Sequence, residues 1–220
     1  MQETFENRPV SIGPIGLKGL LTVPASAIAL VVFAHGSGSG RLSPRNNYVA
    51  QRLSSAGLAT LLMDLLTPDE ELDRANVFDI PLLAKRLMLA TDWAAAQPET
   101  AALRVGYFGA STGGGAALVA AAGDGRISAV VSRGGRPDLA GAALPHVTAP
   151  TLLIVGSLDG QVIELNRLAH SQMRCERQIA IVPGASHLFE EPGTLDQVVI
   201  LARDWFVSHL QAAKEKSRGT

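Results

Sequence analysis

Three separated stretches of the chain carry residue types that together could make and use a nucleophile. Gly109-Ala110-Ser111-Thr112-Gly113 fits G-x-S-x-G, in which a serine stands at a sharp corner between a strand and a helix. A serine hydroxyl is a poor nucleophile at neutral pH, so it needs an imidazole to take its proton and a carboxylate to orient that imidazole. Asp159 closes Leu152-Leu153-Ile154-Val155-Gly156-Ser157-Leu158-Asp159, and His187 closes Pro183-Gly184-Ala185-Ser186-His187. Each follows a run of β-formers, and the chain order is serine, acid, histidine, as in hydrolases built on such a corner. The chemistry open to this set is acyl transfer through a covalent intermediate on Ser111.

Each residue also has a plainer reading. A Gly/Ser pentapeptide is common as a flexible turn, but here Val105, Tyr107 and Phe108 are β-formers before it, and Ala116, Ala117, Leu118, Ala120 and Ala121 can form a helix after it. Asp159 could serve only as a helix N-cap. Asp124 and Asp138 lie further from a strand end, and Asp196 and Asp204 fall beyond His187 in the last helix. Among the other histidines, His35 precedes the serine, His146 has no strand before it, and His170 and His209 fall inside helices.

An acyl transfer also needs donors for the oxyanion. One is the Thr112 backbone N–H, directly after the nucleophile and at a helix start. The other comes from His35-Gly36-Ser37-Gly38-Ser39-Gly40, with the Ser37 N–H first and Gly38 in reserve. The same loop does not fit a nucleotide cradle. G-x-G-x-x-G fails because Arg41 or Ser43 stands at the third-glycine position, and no Gly-Lys-Ser/Thr is present.

The elements that must position these groups follow from the pattern. Residues 9 to 12 and 17 to 23 read as an antiparallel pair about Gly13-Pro14. Residues 28 to 34 and 58 to 63 are continuous apolar runs, the mark of strands buried on both faces. Between them Ser43-Pro44 opens a helix that Gly57 stops. A helix over about 79 to 97, the strand before Ser111, strands over 127 to 131 and 151 to 155, a helix over 161 to 173, a strand over 178 to 182 and a helix over 194 to 211 complete the chain. A Thr194…Gln197 capping box should open the last helix. Strands alternating with helices imply an α/β fold with a mostly parallel sheet, and ligands bind at the carboxyl ends of its strands.

At 220 residues and 47% hydrophobic content the chain is long enough for one α/β domain, expected over 1–213, with a polar tail at 214–220. A net charge of −1 argues against a nucleic-acid surface, and the single cysteine, Cys175, excludes an internal disulfide. With neither a signal-like N-terminus nor an apolar run of membrane-spanning length, the expectation is a cytoplasmic protein without membrane contact.

With HGSGSG, GASTG, SLDG and GASHLF in order, the chain from about residue 8 to 210 resembles the α/β-hydrolase superfamily, and most closely the small, lid-less dienelactone hydrolase family. The resemblance implies an eight-stranded, mainly parallel sheet without a cap domain, a metal- and cofactor-independent acyl-enzyme mechanism, and esterase activity. The name-giving enzymes of that family carry cysteine as nucleophile, whereas this chain has Ser111, which favours a general carboxylesterase acting on a small ester. Acyl transfer to an alcohol or thiol, phosphotriester cleavage, and a non-catalytic hydrolase fold are the rival readings. The stretches 64 to 78 and 133 to 149 are too short for a lid, which points to short, soluble substrates. Arg41 and Arg133 are candidates for binding an anionic substrate; the alternative for Arg133 is an internal pair with Asp138 or Asp64 that pins its loop. Monomer and homodimer are both open.

Overall fold

The computed structural model describes residues 6–216, and its backbone is a single eight-stranded sheet in the order β1-β2-β4-β3-β5-β6-β7-β8. The strands are β1 (Arg8–Ile12), β2 (Leu17–Thr22), β3 (Ala29–Ala34), β4 (Leu58–Met63), β5 (Arg104–Ala110), β6 (Ile127–Arg133), β7 (Thr151–Gly156) and β8 (Arg177–Val182). β2 pairs antiparallel with both β1 and β4, and all pairings from β4 to β8 are parallel. Parallel neighbours require crossovers, and the crossover helices cover both faces.

The helices are α1 (Pro44–Ser55), the short α2 (Pro68–Glu71) and α3 (Arg74–Val77), α4 (Ile80–Ala95), α5 (Thr112–Ala121), α6 (Gly160–Gln172) and α7 (Thr194–Lys216). Their starts have local causes. Ser43 Oγ accepts the Asn46 N–H at 3.4 Å with Pro44 in the first turn of α1, and Asp79 caps α4 through the Leu82 N–H at 2.9 Å. On one face α4 and α5 pack Leu83, Leu87, Ala90, Ala116 and Ala117 against the sheet; on the other, α1 and α7 pack Val49, Leu53, Ala202 and Phe206. β3, β4 and β7 are buried along their whole length, as their apolar runs require, while the edge strand β8 is half-exposed. Among the described residues no helix is long and apolar enough to cross a membrane.

The structure differs from the sequence expectation in four places. The stretch 64 to 78 is not featureless: Thr67 makes a capping box with Glu70 and opens α2, and Asp73 caps α3. The strand expected over 127 to 131 runs on to Arg133, and Pro137–His146 forms a 3-10 stretch. The Thr194–Gln197 box does not form, because Thr194 is already helical and its hydroxyl donates to the Glu191 carbonyl at 2.7 Å, while the Gln197 N–H bonds the Gly193 carbonyl. α7 also continues to Lys216, into the expected polar tail; the rest of that tail, 217–220, lies outside the described residues.

Candidate active site

β5 delivers Ser111 into a backbone conformation of φ 51 and ψ −123, outside the regions that residues with a Cβ favour. Such a residue costs on the order of 1–3 kcal/mol and persists only where its surroundings over-determine it. The surroundings here are glycines. A Cβ at Gly109 would lie 2.5 Å from the Gly113 carbonyl oxygen and 2.6 Å from Gly114 Cα, and one at Gly113 would strike the Ala34 and His35 carbonyl oxygens. Without these side chains α5 can start hard against β3 and β5 and hold the corner. The Ser111 carbonyl accepts the Gly114 and Arg136 amides, each at 3.0 Å, while its side chain makes no capping bond. The hydroxyl is therefore left for other uses.

The loops after β7 and β8 are zipped together beside this corner. The Leu158 N–H bonds the Ala185 carbonyl at 2.9 Å, the Gly184 N–H bonds Ser157 Oγ at 2.8 Å, and Glu191 accepts the Ser186 N–H at 3.0 Å. His187 Nδ1 then stands 2.6 Å from Asp159 Oδ2, with the aspartate side chain 14% exposed. Asp159 sits at the N-cap position of α6 but makes no capping bond, so its plainer reading is not what the structure shows. Gly134 ties the histidine to the elbow. A Cβ at Gly134 would meet the His187 carbonyl oxygen at 2.9 Å, and the carbonyl of the preceding Arg133 accepts the Ser111 N–H at 3.4 Å. Ser111 Oγ and His187 are not hydrogen-bonded among the described residues; contacts of this kind commonly tighten only when substrate is bound.

The His35–Gly40 loop lies across the nucleophile. A Cβ at Gly36 would be 2.9 Å from Ser111 Cβ, so only glycine lets the loop approach this closely. With His35, Leu66, Glu71, Val77, Leu83 and Thr112, residues 36 to 39 of the loop line a cavity of about 260 Å³. Thr112 opens α5, where the first amides have no intrahelical acceptor.

His35 fixes the loop from beneath. Its buried imidazole donates from Nδ1 to the Gly36 carbonyl at 2.9 Å and accepts the Leu65 N–H on Nε2 at 3.0 Å, an arrangement that only the neutral ring satisfies. Burial pushes its pKa below the ordinary 6.5 against smaller opposing effects of the Gly36 carbonyl, Asp64 and Glu71. Just below that value the unfolded chain binds a proton that the folded chain does not, so the stability contributed at His35 falls as the pH drops through this window. Thermal melts from pH 7 to pH 5 should show the Tm advantage of wild type over His35→Gln shrinking; a constant difference would show that His35 does not titrate in this way.

Both candidate arginines are placed, and they differ. Arg41 is committed to Asp64, which accepts its backbone N–H at 2.7 Å and also pairs with its guanidinium. Arg41 braces the loop through this pair. Arg133 is the reverse. It is only 7% exposed, and neither carboxylate expected to pin it does so, since Asp138 is held by Arg136 at 2.7–2.8 Å and Asp64 by Arg41. Its Nε and Nη1 are buried without a partner among the described residues, and the Phe189 ring lies 5.8 Å away. Burial, and then the charge of Arg45, push its pKa down to about 10, so it remains a cation at neutral pH.

Sequence reasoning missed Phe189, which is buried at φ 57 directly after Leu188 and packs beneath the His187 loop. No residue type announced it, as a phenylalanine in a left-handed conformation is a product of tertiary packing. It also missed Glu71, brought to the cavity by α2, although Thr67-Pro68-Asp69-Glu70 carries a capping-box signature.

Strand order, crossover helices and a serine elbow at the carboxyl edge of the sheet define an α/β-hydrolase fold. Within that class, the chain belongs to the dienelactone hydrolase family, whose profile matches residues 17–217. A crystal structure of a dienelactone hydrolase from Anabaena variabilis is 57% identical, with a TM-score of 0.89 over 95% of this chain and 99% of that one. A Mycobacterium tuberculosis protein named as a phosphoribosyl transferase is 63% identical over 93% of this chain, but the match takes up 46% of that protein, so the chain spans about half the length of the curated relatives it matches. A dienelactone hydrolase-like promiscuous phosphotriesterase from metagenomic libraries shares the fold at 20% identity and a TM-score of 0.75, covering 94% of this chain and 99% of that one.

Proposed function

We propose that the chain is a serine hydrolase of short, soluble carboxylic esters that works through an acyl-enzyme on Ser111. The observation that carries this reading is the 2.6 Å bond between His187 and Asp159 next to a serine held in a strained elbow. Ser111 Oγ attacks the ester carbonyl as His187 Nε2 takes its proton, and the oxyanion is held by the Ser37 and Thr112 amides. Collapse of the tetrahedral adduct breaks the ester C–O bond, and His187 returns the proton to the leaving alcohol. Water then repeats the sequence, with His187 as base, and releases the acid. Asp159 holds the imidazole with its proton on Nδ1, which leaves Nε2 free to accept.

The cavity beside the elbow supports the short-chain reading. Ligand pockets run from roughly 300 to 1,000 Å³, and the 260 Å³ cavity that Leu66, Val77 and Leu83 help to line lies near the lower end of that range. Across p-nitrophenyl esters from acetate to palmitate, kcat/KM should peak at or below butyrate, with no jump at the solubility limit. A preference for palmitate would overturn the short-chain reading. The name carried by the Mycobacterium tuberculosis relative describes a protein twice this length, and the serine elbow with its His187–Asp159 pair favours hydrolysis for this half. The same screen run with a phosphotriester, and with added alcohol as competing acceptor, ranks the two rival reactions of the same nucleophile.

A further inference from the structure

The cavity beside the elbow has one ionised side chain in its lining among the described residues, and that side chain is an acid. Glu71 stands there with Ser37, Thr112 and the apolar Leu66, Val77 and Leu83, and the other titratable group of the lining, His35, is held neutral by its two hydrogen bonds. The charges around Glu71 are already matched to one another. Glu70 pairs with Arg86 and closes the capping box with Thr67, Asp64 pairs with Arg41, and Arg74, three residues on, lies over the Phe78 ring at 5.7 Å. The Glu71 backbone is fixed by its own N–H, which donates to the Thr67 carbonyl at 3.0 Å. Its carboxylate has neither a cation nor a hydrogen-bond donor as partner among the described residues. A positioned, unneutralised negative charge in an otherwise uncharged cavity selects for the sign of what enters.

The chemistry decides which end of an ester meets Glu71. In the proposed mechanism the carbonyl oxygen lies at the Ser37 and Thr112 amides, which belong to residues of the cavity lining, and the leaving alcohol must lie within reach of His187, which does not line the cavity. The acyl chain is therefore the part that enters. We propose that Glu71 is a specificity-determining residue that favours short acyl chains carrying an ammonium group, so that the preferred substrates are esters of small amino acids. The proposal rests on the serine-hydrolase reading and deepens it by naming the substrate class. An ammonium is a compact charge with three N–H donors, and a carboxylate offers only acceptors, so the two are matched in both charge and hydrogen bonding. An acyl chain ending in a carboxylate is repelled by Glu71 and meets no cation in the lining.

The probes are the methyl esters of β-alanine, butyric acid and succinic acid (its monoester), which place an ammonium, a methyl or a carboxylate at the end of acyl chains of similar length. NMR titration of Ser111→Ala reads their binding without turnover, while fluorophosphonate labelling and hydrolysis of methyl butyrate by wild type test the serine-hydrolase reading separately. At low salt and neutral pH the β-alanine ester should bind about fivefold more tightly than the butyrate, the upper end for an ion pair open to solvent, and the succinate more weakly than both. The preference should shrink as salt is raised. Adding Glu71→Gln should bring the three esters together, and Glu71→Lys should reverse their order. In turnover the ammonium group also activates its ester inductively. The relevant measure is therefore the wild-type kcat/KM divided by that of Glu71→Gln for each ester, a ratio in which this effect cancels, and it should be largest for β-alanine and smallest for succinate. Equal binding of the ammonium and methyl esters, or a preference that survives Glu71→Gln, would overturn the proposal. A preference lost with Glu71→Gln in a protein that neither labels nor turns over methyl butyrate would support the cation subsite and count against hydrolysis alone.

Discussion

Ser111→Ala should remove all but a trace of ester turnover, a loss of about 10⁴- to 10⁶-fold in kcat, because members of such a triad act as a unit and each single deletion disables it. The protein should remain folded. The Ser111 side chain makes no capping bond and its backbone bonds to Gly114 and Arg136 do not involve the hydroxyl, so alanine keeps every contact that holds the corner. The strain remains too, since it comes from having any Cβ at φ 51. Ser111→Gly separates the two effects: it is equally inactive but relieves a conformation costing ~1–3 kcal/mol, and should melt above both wild type and the alanine variant. Intact-mass measurement after fluorophosphonate treatment should show one adduct on wild type and none on either variant. An adduct on Ser111→Ala, or turnover within tenfold of wild type, would place the nucleophile elsewhere.

Legibility of this chain in its sequence depends on how local the cause is. The buried runs of β3, β4 and β7, the Ser43-Pro44 and Asp79 caps, and the glycine-flanked elbow are each set by residues adjacent in the chain, and the structure has them within a few residues of the expected bounds. The candidate residues Ser111, Asp159 and His187 stand out for a local reason as well, because strand ends and chain order are sequence properties; the 2.6 Å approach of His187 to Asp159 needed the fold. What was not legible was decided between distant segments. β6 extends through Ser132 and Arg133, neither a strong β-former, because β5 and β7 on both sides supply its hydrogen bonds. Arg133 lost its expected carboxylates for a reason of direction: Asp138 turns toward Arg136, two residues before it, and Asp64 toward Arg41, while the Arg133 side chain points toward the α1 and α7 face with Phe189. A capping-box signature also proved conditional. It formed at Thr67 and failed at Thr194, where the helix had already begun.

Asp159→Asn carries the other large expected effect, and it tests the orientation of the base rather than its presence. The carboxylate at 2.6 Å accepts the Nδ1 proton of His187 and thereby leaves Nε2 as the acceptor for the serine proton. An asparagine of the same shape can present its amide N–H₂ at that position, which makes Nδ1 the acceptor and puts the ring proton on Nε2. The imidazole then faces Ser111 with a donor and cannot take its proton. The loss in kcat should be roughly 10⁴-fold, the scale of a tautomer error in such a triad, with KM changed far less because the cavity and the oxyanion amides are untouched. Asp159 makes no capping bond to α6, so the variant should melt close to wild type, and a loss of rate cannot be put down to a disordered helix start. Steady-state kinetics on p-nitrophenyl acetate, with the fluorophosphonate labelling rate as a second readout, check both halves. Near-normal kcat would show that another carboxylate orients His187, and an unchanged labelling rate would show that the imidazole does not activate Ser111.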